Sequence, residues 1–223
     1  MKILIFIFLF LIGPLTFGQE ALNIIFQPKF ETENLVINKT YLFKTDTLKI
    51  NSFKCYITNL KYYKNDSLVH VSRKRAHLID ATDSSTYYIS EHKFFRFDEL
   101  RFNIGVDSLT NVSGVYEGDL DPSKGMYWTW QSGYINFKLD GTSSRCPGRK
   151  NKFYWHIGGY LPPFNTLRKV SLKLNKSHPR QIYIQLNKLF EEIDVSEVYN
   201  VMSPSDKAIR ISNKLQLLFK QVP

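Results

Sequence analysis

Cysteine is scarce in this 223-residue chain, with only Cys55 and Cys146, and that excludes both a disulfide framework and a thiolate-rich zinc centre. The pair suffices for one bridge in an oxidising compartment; otherwise Cys146, placed in a polar loop, is an exposed thiol close in sequence to His156 and a candidate soft-metal ligand. Histidines number five and methionines three, and no carboxylates crowd together at ligand spacing, so an EF-hand-like calcium site is excluded too. Nucleophile-elbow, phosphate-loop and metalloprotease motifs are all missing. There is no repeat and no Pro/Gly/Ser-rich linker, and residues 19–223 read as one domain.

Long apolar runs are also lacking, apart from one at the start. Ile3 to Ile12 is unbroken, comes directly after Met1-Lys2, and gives way to Gly13-Pro14 and then Thr16-Phe17-Gly18, with small residues at the cleavage positions. We read 1–18 as a secretory signal, since a spanning helix needs about 20 apolar residues. The mature chain is expected to be periplasmic or secreted. Acidic residues are outnumbered, 20 against 30 Lys and Arg, but the bases are scattered and only Arg73-Lys74-Arg75 forms a run. That is the pattern of a solvated basic surface, and no nucleic-acid partner is expected.

What is present is β-rich. Asn23 to Phe26, Phe53 to Tyr63, Ala76 to Ile79, Phe94 to Ile104, Tyr134 to Leu139, Phe153 to Ile157, Val170 to Leu174 and Ile182 to Leu186 read as strands, most with apolar and polar residues alternating. Ile135, Phe137 and Leu139 are expected inside, with Tyr134, Asn136 and Lys138 outside. Cys55 alternates with Phe53 and Ile57 and is expected in the core. Asn187 to Ile193 predicts a short helix, and Ser203-Pro204-Ser205-Asp206 opens a second toward Phe219. The fold class is mainly β, an antiparallel sandwich with one or two short C-terminal helices.

Two stretches concentrate soft and aromatic chemistry. In Gly125-Met126-Tyr127-Trp128-Thr129-Trp130, an extended backbone would point Met126, Trp128 and Trp130 the same way. In Phe153 to Ile157, Phe153, Trp155 and Ile157 share one face and leave Tyr154 and His156 on the other. Each indole is also a natural packing element, and His70, His77, His92 and His178 have no ligand partner at suggestive spacing. Asp119 and Asp121 sit in a turn-rich Gly-Asp-Leu-Asp-Pro, where carboxylates bond nearby backbone amides; glycosidase chemistry is disfavoured there.

Four blocks in order resemble the MbnP-like family of exported copper-binding proteins. They are Phe53 to Leu60, Phe102-Asn103-Ile104-Gly105-Val106-Asp107 with the later Asn111, Gly118 to Pro122 leading into Gly125 to Tyr134, and Asn151 to Tyr160. The resemblance implies copper held by histidine beside a tryptophan that a partner dihaem peroxidase converts to kynurenine in some members. On this chain the histidine is His156 and the oxidisable residue Trp128, or else Trp130. Some members carry a second histidine two residues before that tryptophan; Met126 stands there, and a thioether favours Cu(I). The metal candidates are thus His156, Met126 and Cys146, with Trp128 and Trp130 lining the site and no catalytic turnover expected. The alternative is an extracytoplasmic interaction module whose aromatics bind a glycan or peptide, the metal site having been lost.

Overall fold

Alternation of apolar and polar residues builds strands with one greasy face, and two such sheets close on each other in this protein. The structure, a computed structural model, describes residues 21–131, 133–174 and 180–221. The expected signal at 1–18 and His178 lie outside them. The strands are β1 (Leu22–Phe30), β2 (Glu33–Asn34), β3 (Thr40–Phe43), β4 (Asp46–Lys64), β5 (Ser67–Val71), β6 (Ala76–Asp80), β7 (Tyr88–Glu91) and β8 (Glu99–Ile104). They continue with β9 (Tyr127–Trp128), β10 (Gly133–Ser143), β11 (Lys152–Gly158), β12 (Arg168–Lys173), β13 (Gln181–Gln185), β14 (Asn200–Val201) and β15 (Phe219–Gln221). Helices are α1 (Ser108–Val112), α2 (Asn187–Glu192) and α3 (Asp206–Ser212).

One sheet runs β15-β13-β1-β2 with β7 beside β1; the larger runs β12-β8-β4-β10-β11-β14. Strand β4 organises the larger sheet. Its Lys54–Thr58 stretch pairs with β6 while Cys55 also pairs with Phe137 of β10 and Ile57 with Ile104 of β8, so β10 and β8 share the edge opposite β6. The sandwich is mostly antiparallel, with two parallel pairings, β1 to β13 and β11 to β14. Between the sheets the apolar faces interlock. Phe26 of β1 meets Phe102 of β8 edge-on at 5.4 Å, and Phe102 meets Phe219 at 5.3 Å. Cys55, Phe53 and Ile57 are in this core as expected.

All eight expected strands form, two of them ending one residue early, at Lys173 and Gln185, and one losing its first five residues: Phe94 to Asp98 stays irregular, its Phe95 and Phe97 rings packed edge-on against Tyr62. Helix α3 begins with Ser205 as its cap, the side chain accepting from Ala208 N, and ends at Ser212 well short of Phe219. A 3-10 turn over Leu215–Leu218 and the strand β15 take up the remainder. Among the described residues no helix is long and apolar enough to cross a membrane.

Beyond the main core, a second apolar cluster lies on the outer face of the large sheet. The chain between β8 and β10 folds back over that face, and Tyr56, Ala76, Leu78, Val106, Leu120, Met126, Trp128, Tyr134 and Ile135 pack there. A β-bulge adds a strand residue to this cluster. Register slips between Ile135 and Phe137 against β11, so that Ile135 rather than Asn136 sits opposite Gly158. Ile135 therefore leaves the inner face and joins the outer cluster, correcting the expectation that it shares a face with Phe137 and Leu139. Tyr134 and Asn136, expected outside, are buried beneath the covering chain.

Candidate metal site

The covering chain is pinned by a small set of polar side chains. Asn136 accepts from Val106 N at 2.8 Å and donates to Thr166 Oγ1 at 2.9 Å. Gly105, at φ +105, passes so close that an added Cβ would lie 2.3 Å from Asn136 Cγ, so this position needs glycine for both conformation and space. Asp107 caps α1 by accepting from Thr110 N, and Asn111 accepts from Tyr134 N at 2.9 Å while donating to Val106 O. Asp119 holds the same chain to β6, accepting from Leu78 N at 2.9 Å and pairing with Lys74 at 2.7 Å. Asp121 accepts from Ser123 N, which holds its carboxyl below the ordinary range. Each of these carboxylates accepts from a backbone amide, and Asp121 does so within its own turn, as the turn-rich sequence predicts.

Strand β9 sets the aromatic pair. It is only two residues long, Gly133 pairing with Trp128 and Tyr134 with Tyr127. Met126 is fully buried and Trp128 is 6% exposed, both in the outer cluster. Extended backbone stops at Trp128, where a turn begins, and Trp130 emerges 65% exposed. The shared direction expected of Met126, Trp128 and Trp130 thus holds for the first two alone. The two indoles still adjoin, with centroids 5.8 Å apart.

Trp128 reaches across β10 to β11. A Cβ on Gly158 would come within 2.7 Å of Trp128 Cζ3 and 3.0 Å of Cη2, so the absent side chain is the seat of the indole. Two residues back on the same strand face stands His156, 8% exposed, its Nε2 2.7 Å from Asp140 Oδ1. Tyr154 is next along that face, its ring 6.3 Å from the imidazole. As expected, Phe153, Trp155 and Ile157 point the other way into the core. Lys138, directly across from His156, extends its ammonium to 3.4 Å from Gly125 O, tying the histidine's neighbour to the residue before Met126.

The structure therefore brings the strand of His156 and the segment of Met126 and Trp128 onto one face of the β10–β11 pair. The Met126 side chain is enclosed in the cluster that contains Tyr56 and Leu78 of the adjoining strands, and it is Trp128 that carries the contact to β11. Cys146 is elsewhere. It is 2% exposed, not on the surface, and its thiol donates to Lys152 O at 3.1 Å. Lys152 lies four residues before His156, about 13 Å along an extended strand. Nor do the cysteines bridge: both are free and buried, and burial raises the pKa of each thiol. Phe137, the partner of Cys55, lies six residues before Ser143, whose carbonyl accepts from Cys146 N, a distance of about 20 Å along β10.

Asp140 escaped the sequence reading. Its signal was available, because β10 continues to alternate past Lys138 and so turns Asp140 outward, diagonally across from His156. Gly158 and the bulge beside it carried no such signal. Elsewhere, His70 meets Glu91 at 3.0 Å and His77 meets Ser72 Oγ at 3.3 Å. Among the described residues no three His, Cys, Asp or Glu side chains gather at metal-holding range.

Comparisons with known proteins agree on one assignment. The family model named MbnP matches residues 19–203. The solved structure of MbnP from Methylosinus trichosporium is similar in fold, with a TM-score of 0.57 at 12% identity, covering 83% of this chain and 82% of that one. No curated protein matches. With the four ordered blocks, the two-layer fold and a family match over most of its length, this chain belongs to the MbnP family.

Proposed function

We propose that this protein is an exported copper-binding protein that holds Cu(I) through His156 and Met126 beside Trp128, and that it binds copper without turning over a substrate. One observation carries the reading: Trp128, two residues after Met126, is seated on Gly158, two residues along the same face from His156. The donor set fits the metal. Imidazole and thioether are ligands a soft, low-coordinate Cu(I) accepts, and a buried thioether favours the reduced ion. Asp140 engages Nε2 of His156, and among the described residues Nδ1 has no hydrogen-bond partner and is the ring nitrogen left to ligate, the arrangement in which a carboxylate orients a metal-binding imidazole. Bound copper would supply a redox-active centre next to an indole. A dihaem peroxidase partner and a kynurenine at Trp128 belong to the same proposal. Intact mass tests that part by one oxygen gained and one carbon lost.

The test of the metal site is loading of the mature protein with Cu(I) under reducing conditions. Binding that falls in a His156→Ala, Met126→Ala double variant supports the reading; a wild-type protein that takes up no more metal than the variant overturns it.

A second reading draws on Trp130, which presents most of its indole to solvent next to Trp128. An aromatic platform of this kind suits a glycan or peptide. Tryptophan fluorescence quenched by glycans and unmoved by copper would favour it over the metal.

A further inference from the structure

At the end of the β10–β11 hairpin away from Trp128 there is a hollow of about 460 Å³. Its walls are Arg149, Lys150 and Lys152 from the hairpin, Tyr154 from β11, Tyr199 just before the edge strand β14, and Asn200 at that strand's start. None of these is acidic. Among the described residues, none of the three cationic side chains has a carboxylate within ion-pair distance, whereas nearby Arg145 is matched by Asp194 at 2.7 Å. Three like charges around one concavity repel each other and focus a positive potential into it. Lys150, moreover, is held at φ 58, a left-handed conformation that is uncommon for a lysine.

We propose that this hollow binds a phosphate monoester of roughly sugar-phosphate size, the phosphate on Arg149, Lys150 and Lys152 and the organic body against Tyr154 and Tyr199. Charge and shape decide the class. A phosphate monoester carries a charge of about −1.5 to −2 and three acceptor oxygens, which meets a guanidinium fork and two ammonium groups together. A single carboxylate has one charge and two oxygens and leaves part of the cluster unmatched. The hollow is larger than a bare phosphate needs and lies within the range of about 300 to 1,000 Å³ typical of small-molecule sites. Two phenol rings offer the apolar contact and hydroxyl donors that an organic body uses. The hollow adjoins the proposed copper ligand His156 only through Tyr154, whose ring lies 6.3 Å from the imidazole, and its binding of the ester does not depend on the metal.

The experiment is a calorimetric titration of the mature protein, at low and at physiological salt, with glucose 6-phosphate, glucose, inorganic phosphate and glucuronate. Saturable binding of glucose 6-phosphate, tighter than inorganic phosphate and glucuronate and absent for glucose, is expected. An Arg149→Gln, Lys150→Gln, Lys152→Gln variant should bind at least tenfold more weakly with an unchanged thermal midpoint. Tyr199→Leu should weaken the ester several-fold more than it weakens phosphate. Should the triple variant fold poorly, Arg149→Gln alone must weaken binding in a protein of normal midpoint. No saturable binding, equal binding by the folded variants, or glucuronate or inorganic phosphate binding as tightly as the ester overturns the proposal.

Discussion

The indole of Trp128 occupies the space a side chain would take at Gly158, so a residue of the loop-borne strand β9 is locked onto the strand that carries His156. The contact is tight from two sides, since a Cβ there would also lie 2.7 Å from Tyr134 O, which is backbone and cannot swing away. Gly158→Ala is expected to cost about 1 to 3 kcal/mol through overpacking. Urea unfolding measures the loss, and a shifted tryptophan emission spectrum should report the displaced indole; an unchanged spectrum and midpoint would contradict this packing.

Met126 separates fold from ligand. Because the side chain is fully enclosed, Met126→Ala should destabilise by about 2 to 5 kcal/mol, whereas the near-isosteric Met126→Leu should cost under about 1.5 kcal/mol. Met126→Leu keeps the apolar volume and removes the sulfur. A stable Leu variant with wild-type Cu(I) affinity would remove Met126 from the proposed site.

Asp140 is predicted to act on copper only through His156. Replacing it by Asn keeps the shape and removes the charge that orients the ring. Asp140→Asn should weaken Cu(I) binding by about ten- to a hundredfold, the usual effect of losing an outer-shell partner. A competition titration against a Cu(I) chelator reads this directly, and equal affinities would mean that the imidazole is not a ligand.

His77 gives the fold a pH dependence. Burial lowers its pKa from 6.5 to about 4, with Lys74 adding to the effect. As pH falls from about 6.5 toward 4, the unfolded chain takes up a proton that the native protein resists, so stability falls across that window and this contribution levels off below it. The full effect is of the order of 3 kcal/mol, from about 1.4 kcal/mol per pKa unit. Chemical denaturation at pH 7, 5.5 and 4.5 should show the decline. His77→Gln should flatten it; a variant with the same slope as wild type would assign the decline to other groups.

The two thiols should behave as buried and unbridged. Native protein is expected to react slowly with a thiol reagent, and unfolded protein to release two equivalents without prior reduction. Rapid labelling of one thiol in the native state would place Cys146 at the surface after all.

Much of the architecture was legible in the residues. Period-two alternation marks Phe53 to Tyr63, Phe153 to Ile157 and Ile182 to Leu186 as strands because half-buried sheets demand it. It also assigned Tyr154 and His156 to the outer face without any tertiary knowledge. The very short strands, such as β2, β9 and β14, were not legible, since a two-residue pairing leaves no period to read. Alternation also failed at Ile135 and Trp130, where a bulge and a turn respectively interrupt it.

By itself the sequence determined the β-rich sandwich, the apolar identity of most inner-face positions, and the family to which the ordered blocks point, all of which come from local patterns of side-chain type. Tertiary structure alone decided that 106–131 folds over the outer sheet face, that Met126 is sealed there with Trp128, and that Cys146 is buried at the far end of the hairpin from the indole. The physical reason is that these placements depend on the register of β10 against β11 and on the empty position at Gly158, and neither a bulge nor a missing side chain announces which distant residue will fill the space.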